Sequence, residues 1–127
     1  MPIQVDIDTS RSLITTRASG KVSDADFVAM EDLFNKSPHF SRKFARICDL
    51  TAATGMNVSE ALVKRWAEDP VMDRGARHAI VCTDPDMMSN VLHYIRESRI
   101  HLRDASVFPT FDQAETWIRE QPESPDS

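Results

Sequence analysis

A chain of 127 residues has the length of one domain, and its formal net charge of −5 argues against a surface that neutralises nucleic-acid phosphates. The 41% hydrophobic and 28% charged content is ordinary for a soluble globular protein, and no apolar stretch approaches the roughly 18–20 residues that span a bilayer. The N-terminus lacks the basic and then apolar layout of a signal peptide, so we expect a cytoplasmic protein.

The predicted elements begin with a β-hairpin. Apolar residues alternate at Ile3, Val5 and Ile7, and a run rich in β-branched residues over 13–18 follows a polar turn. This pattern predicts two paired strands, and Gly20 breaks the second one.

A helix is predicted next. Ser23, with Asp26 three residues on, is typical of a helix start, and the Ser-Pro pair at 37–38 is typical of a helix end. Helical spacing predicts that its inward side is formed by Phe27, Met30 and Phe34.

The apolar run over 44–50 predicts a strand that ends in a polar loop, and Asp49 lies at that end. Open α/β sheets bind ligands at the carboxyl ends of their strands, although the Asp49 carboxylate could instead accept backbone N–H groups of a simple turn. Asn57 with Glu60 predicts the start of a second helix, which stops before Pro70. The candidate binding residues in this region are Asp49, Thr51, Asn57 and Ser59.

The second half repeats the scheme. Residues 79–82 are apolar without alternation, as in a strand covered on both faces, and Asp84 with Pro85 predicts the start of a third helix. Residues 106–108 predict the last strand, and Thr110 opens a capping box for a fourth helix. The third helix is predicted to bury a stripe of Met88, Val91, Leu92, Ile95 and Leu102, and the fourth helix turns Phe111, Ala114 and Ile118 inward, with Trp117 beside them.

The element order is therefore ββαβαβαβα. Strands that alternate with helices require right-handed crossovers and a largely parallel sheet with helices on its faces. We predict an α/β fold with a five-stranded, mostly parallel mixed sheet, an N-terminal hairpin and four helices. One domain is expected over residues 1–120, and residues 121–127 are expected to form a disordered tail.

Several stretches of the chain resemble the STAS/SEC14-type, SpoIIAA-like proteins. They are Gly-Lys-Val-Ser at 20–23, Asp-Leu-Thr at 49–51, Arg-His-Ala-Ile-Val at 77–81, and Val-Phe at 107–108 followed by Ala-Glu-Thr-Trp-Ile at 114–118. The resemblance covers nearly the whole chain and implies a small βα superhelix. Known members are antagonists of anti-sigma factors, cytoplasmic domains of anion transporters and, more distantly, lipid carriers.

The resemblance does not by itself imply that this chain is regulated by phosphorylation. The antagonists carry a phosphorylatable serine that aligns here with Val58, and valine cannot accept a phosphate. Ser59 could substitute after a shift of one residue, and a phosphate at a helix N-terminus is electrostatically favourable. The simpler interpretation is that Ser59 is an ordinary residue of the first helical turn.

The chain carries no clear enzyme signature. Asp49 and Thr83 resemble the acceptor and switch hydroxyl of a phosphorelay receiver, but the acidic pair and the lysine that hold magnesium and the phosphoryl group are missing. No P-loop, nucleophile elbow or dinucleotide fingerprint is present.

Cys48 and Cys82 are predicted core thiols. We expect no enzymatic activity, metal or cofactor, and keep an enzyme that uses Asp49 or Asp84 as a third hypothesis. The histidines have no metal-ligand spacing and are assigned to the surface or its boundary: His39, His78, His93 and His101.

Arg96, Arg99 and Arg103 recur at three and four residues late in the third helix. In a continuous helix, Arg99 would fall within the apolar arc, so either the helix breaks near Ser98 or the arginines border an apolar groove. Such a groove would suit an anionic lipid head group or an acidic partner segment. The alternative is that the cations are solvated and favoured by the helix dipole.

These observations predict a non-enzymatic binding or regulatory module, above all one that binds a protein in bacterial signalling. The alternative is a carrier of a lipid or a small apolar anion. A homodimer is compatible with the sequence, which does not decide the question. The adaptable apolar side chains that would serve a carrier, or simply form core, are Phe27, Met30, Phe34, Met87 and Met88.

Overall fold

The computed structural model describes residues 3–68, 76–100 and 104–120. It confirms the predicted order of five strands and four helices, whereas the expected tail at 121–127 lies outside the described residues. The elements are β1 (Ile3–Asp8), β2 (Leu13–Ser23), α1 (Asp24–Lys36), β3 (Ala45–Asn57), α2 (Glu60–Glu68), β4 (His78–Val81), α3 (Pro85–Ile100), β5 (Ala105–Phe108) and α4 (Phe111–Arg119).

The strands form one mixed sheet in chain order, β1-β2-β3-β4-β5. β1 is antiparallel to β2, and each later pair is parallel. Because the parallel strands advance in one direction, right-handed crossovers bring α1, α2 and α3 to the same face. The buried residues of these three helices share one core with that face, while α4 packs on the opposite face.

β3 is longer than predicted. The sequence predicts a strand end at residue 50 and a loop as far as Asn57, whereas β3 continues to Asn57 beside β2. β2 in turn runs through Gly20 to Ser23. Two register shifts between the strands absorb the residues that break the alternation. Gly20 has φ of +68°, which glycine adopts without steric cost, so it bends β2 instead of ending it.

Several helix ends follow the predicted capping chemistry. The N–H of Ser23 donates to the Asp26 carboxylate at 2.9 Å, and α1 ends at Ser37. The Asp84 carboxylate accepts the N–H of Asp86 at 2.8 Å at the start of α3. In the same way the Thr110 hydroxyl accepts the N–H of Gln113 at 3.2 Å at the start of α4. The predicted inward residues of α1, namely Phe27, Met30 and Phe34, are all buried.

The buried side of α3 differs from the predicted stripe. Leu92 is 46% exposed, Met88 is only partly buried, and Leu102 lies outside the described residues. α3 is continuous through Ile100, so it does not break near Ser98. Spacings of four, four and three residues keep the buried set on one side of the helix, and that set is Met87, Val91, Ile95 and Ser98.

Both cysteines are free and buried, as predicted. Burial raises the pKa of the Cys82 thiol, which keeps it protonated and unreactive at neutral pH. In the described part of the chain, no helix is long and apolar enough to cross a membrane.

Candidate functional site

A cavity of about 90 Å³ lies between the sheet and the helices of its α1–α3 face. One water molecule needs roughly 10–15 Å³ of such space, so the cavity has room for several waters or a small organic molecule. Its walls are mainly apolar and include Phe27 and Met30 of α1, Trp66 of α2, Val91 of α3, and Cys48, Leu50 and Ile80 of the strands.

Arg46, the second residue of β3, brings a positive charge to this cavity. Its guanidinium lies 3.1 Å from the Met30 sulfur and 5.3 Å from the centre of the Phe34 ring. Within the described residues it contacts no carboxylate, and its buried Nε–H has no acceptor. A partly buried charge without a counter-ion is costly, so this guanidinium is poised to bind an anion.

His78 is the register partner of Arg46 on the neighbouring strand, so both side chains lie on the same sheet face. His78 Nδ1 is 2.8 Å from the Tyr94 hydroxyl of α3. Burial, together with the charge of Arg46, lowers the pKa of His78 well below 6.5, so the ring is neutral at pH 7. Although the residue as a whole is partly exposed, its Nε2 is buried and has no partner in the described structure.

Ser98 completes the polar lining from α3. It is fully buried, and its hydroxyl has no hydrogen-bond partner among the described residues. Buried polar side chains nearly always have a protein or water partner. The three residues that carry these unpartnered atoms all line one cavity, from β3, β4 and α3.

The two acidic residues that also line the cavity are engaged with other cations. Glu31 pairs with Arg65 at 3.2 Å and accepts the indole N–H of Trp66. Asp104 lies 3.3 Å from Arg77. Neither carboxylate neutralises Arg46, so the cavity keeps a positive end.

The predicted candidates Asp49 and Thr51 lie on the other face of the sheet. The N–H and the hydroxyl of Thr51 donate to Asp49 Oδ1 at 3.0 and 2.7 Å, and Asp49 Oδ2 is 3.7 Å from Arg17 Nε. The turn-like role that the sequence left open for Asp49 is the one observed, at a register shift of β3. The prediction that Asp49 ends its strand is wrong, because pairing with β2 carries β3 further.

Asn57 and Ser59 lie at the far end of β3. Asn57 lies eight positions after Asp49, and a strand rises about 3.3 Å per residue, so these two predicted candidates are up to about 26 Å apart and form no single site. Asn57 is the last residue of β3 and does not start α2. Ser59 caps α2 instead: its hydroxyl accepts the N–H of Leu62 at 3.2 Å, and its own N–H donates to Asp24 at 2.8 Å.

The arginines of α3 do not border the cavity. Arg96 and Arg99 are exposed, and the Arg99 guanidinium donates to the Ala105 carbonyl at 3.5 Å. The predicted arginine-bordered groove therefore has no counterpart in the described structure, because the buried stripe of α3 lies on another side of the helix. Arg103 lies outside the described residues. No three metal-ligating side chains come together in the described ranges.

The element order and the single mixed sheet define an α/β protein with a SpoIIAA-like fold, as three solved structures show. An uncharacterized protein of the DUF3478 family with a SpoIIAA-like fold from Shewanella loihica PV-4 is 17% identical, with a TM-score of 0.60 over 91% of this chain and 93% of that one. An anti-sigma factor antagonist from Mycobacterium paratuberculosis is 17% identical, with a TM-score of 0.61 over 93% and 95%. SpoIIAA in its unphosphorylated form is 12% identical, with a TM-score of 0.56 over 94% and 99%.

The fold expected from the resemblance is thereby confirmed. The sequence matches no protein-family model and no curated protein sequence. At these identities the likeness establishes the fold alone.

Proposed function

We propose that the chain is a non-enzymatic regulatory module that acts by binding a protein partner in the bacterial cytoplasm. The observation that supports this proposal is the fold, which the chain shares over more than nine tenths of its length with two anti-sigma factor antagonists. Such proteins work by presenting a surface, so a candidate contact surface has to be identified.

The outward side of α3 has the composition of such a surface. Leu92 is 46% and Ile100 is 64% exposed, and both are large apolar side chains. Arg96 and Arg99 are exposed between them. At about 100° per residue these four positions share an arc of roughly 100°, which we call the α3 outer face. Apolar anchors beside arginines favour an acidic, amphipathic partner segment, because arginine binds carboxylates in defined geometry.

Charge reversal on the α3 outer face tests the proposal. The double variant Arg96→Glu/Arg99→Glu should lose the partner that the wild-type chain captures from the lysate of its own organism. The matched control is Lys36→Glu/Lys64→Glu, which makes the same change of charge on exposed positions of α1 and α2. Quantitative mass spectrometry of the captured proteins provides the measurement. A partner retained by the α3 variant would refute this surface, and no specific partner in any sample would refute the proposed function.

Both carboxylates of the enzyme hypothesis, those of Asp49 and Asp84, accept hydrogen bonds from the protein. Asp49 binds Thr51 at the β3 register shift, and Asp84 caps α3. The arginine-bordered groove of the carrier hypothesis has no counterpart in the described structure, whereas the cavity between the sheet and α1–α3 favours the binding of a small molecule. Homodimer formation stays a prediction that light scattering on the purified chain can test.

A further inference from the structure

The cavity beneath α1, α2 and α3 offers a second binding site that does not depend on a protein partner. Its geometry combines apolar walls with a positively charged end, as small-molecule sites commonly do. We propose that this cavity binds a small monocarboxylate with an apolar body. The carboxylate lies against Arg46, His78 and Ser98, and the body lies among the aromatic and aliphatic walls. This inference goes beyond the proposed function, which rests on the fold.

The charge of Arg46 selects the ligand's polar group. A guanidinium beside apolar walls has lost part of its hydration, and its described contacts, a thioether and an aromatic ring, carry no full negative charge. A carboxylate supplies the missing counter-charge and accepts the unpartnered Nε–H. A neutral ligand would leave the charge uncompensated.

His78 can complement such a carboxylate without carrying charge. When the Tyr94 hydroxyl donates to Nδ1, the neutral ring carries its proton on Nε2, which makes that unpartnered N–H a donor. The Ser98 hydroxyl can rotate to donate as well. The residues of β3, β4 and α3 that carry these donors thus line one cavity, whereas the two acidic residues that also line it pair with Arg65 and Arg77.

Bound water is the competing explanation for the unpartnered atoms. Waters could satisfy Nε2 of His78 and the Ser98 hydroxyl, since the cavity is large enough for several of them. Water does not, however, neutralise Arg46. If the cavity is a carboxylate site, an added carboxylate should bind better than its neutral amide. If the cavity only holds water, it should not.

The test uses the full chain with benzoate and hexanoate as probes and with benzamide and hexanamide as neutral counterparts. Titration followed by ¹H–¹⁵N NMR locates binding through the backbone signals of β3, β4 and α3. We expect at least one carboxylate to shift the signals of cavity-lining residues. Its amide should bind at least about tenfold more weakly, because it lacks the charge that pairs with Arg46. No carboxylate binding at about 10 mM, or equal binding of acid and amide, would overturn the proposal.

Two variants assign the contacts. Arg46→Gln removes the charge and should weaken carboxylate binding at least about tenfold, while leaving amide binding unchanged. Arg119→Gln is the matched control, because it removes an exposed arginine of α4, which packs on the other face of the sheet from the cavity. Ser98→Ala should bind the carboxylate several-fold more weakly although it unfolds at the same or a higher temperature, since it removes a hydroxyl that has no protein partner. Unchanged carboxylate binding in both Arg46→Gln and Ser98→Ala would exclude the proposed site.

Discussion

Two donors of Thr51 converge on Oδ1 of Asp49, and this local contact defines the role of the carboxylate. The register shift between β2 and β3 takes the Thr51 N–H out of the regular ladder, and Asp49 accepts it. Asp49→Ala should therefore lower the free energy of unfolding by about 1 kcal/mol. Asp49→Asn keeps an acceptor and should lose less than half of that, as measured by urea denaturation. Equal losses in the two variants would instead assign the effect to the charge facing Arg17.

His78 makes the stability of the protein depend on pH. Its pKa is lowered well below 6.5 in the folded chain, first by burial and then by the charge of Arg46. As the pH falls below about 6.5, the unfolded chain takes up a proton that the folded chain does not, so the stabilisation is complete above that pH and is lost below it.

The free energy of unfolding should accordingly decrease by about 1 kcal/mol between pH 7.5 and pH 5.5, over and above the pH dependence of a His78→Gln variant. Urea denaturation at both pH values measures the difference. His39→Gln is the matched control, because His39 is exposed. An identical pH dependence in wild type and His78→Gln would contradict a neutral, buried imidazole.

One feature of the cavity, the charged residue on its β3 wall, could have been predicted from the sequence. Arg46, Cys48 and Leu50 alternate along β3, which gives them one face, and that face is the one covered by α1, α2 and α3. An arginine in register with buried residues is a signal for a charged interior site. Apolar residues dominate the run over 44–50, so its composition predicts a strand and not a charged site. The position of His78 beside Arg46 is not visible in the sequence, because it depends on the strand register.

The N-terminus of α2 shows how an element can be predicted while its start is not. The sequence predicts the cap at Asn57, but β3 extends through that residue and Ser59 caps α2 instead. Ser59→Ala should lower the free energy of unfolding by about 1 kcal/mol, and Ser59→Asp should restore most of it, because aspartate is an equally good cap. Chemical denaturation of both variants measures these changes.

Phosphorylation of Ser59 is the competing role for the same residue. If Ser59 is only a cap, Ser59→Asp should leave the captured partner unchanged, because the carboxylate reproduces the cap. Loss of the partner in Ser59→Asp, with retention in the equally capping Ser59→Asn, would show instead that negative charge at this position regulates binding.

The rotation of α3 about its own axis explains why its predicted buried stripe is wrong. Met88, Val91, Leu92 and Ile95 form a plausible apolar stripe by composition alone. The observed stripe is rotated so that Met87 and Ser98 face inward and Leu92 faces outward. Serine carries no hydrophobic signal, so the period of the helix was predictable but its rotation was not. That rotation brings Ser98 to the cavity and leaves Arg96 on the outer face.

At the scale of the whole molecule, the order of the strands decides where function can lie. Three crossovers in one direction bring three helices to one face, and the cavity forms where their side chains do not fill the space above β3 and β4. The sequence predicted the elements and the parallel sheet, because capping and periodicity are local. The cavity has lining residues from α1, α2, α3, β3, β4 and β5, so no local pattern could predict it.

On the opposite face of the sheet, Arg77 attaches the C-terminal end of α4. Arg77 donates to the backbone carbonyls of Trp117, at 2.6 Å, and of Glu120, and its guanidinium lies 4.8 Å from the Trp117 ring. Its side chain thus connects the residue before β4 to the C-terminal end of α4, where cations are favoured by the helix dipole. A planar guanidinium can stack and donate in two directions at once, whereas a lysine ammonium cannot.

Arg77→Ala should therefore release the end of α4 and lower the free energy of unfolding by about 2–3 kcal/mol, with Arg77→Lys recovering less than half. Hydrogen exchange should show faster exchange of the α4 amides in both variants, while the amides of α1 keep their wild-type rates. Arg119→Ala is the control, because Arg119 lies on α4 and pairs with Glu115 within that helix. Uniformly faster exchange across α1 and α4 would mean that the two faces unfold together, and α4 would then be an integral part of one core rather than a separately held layer.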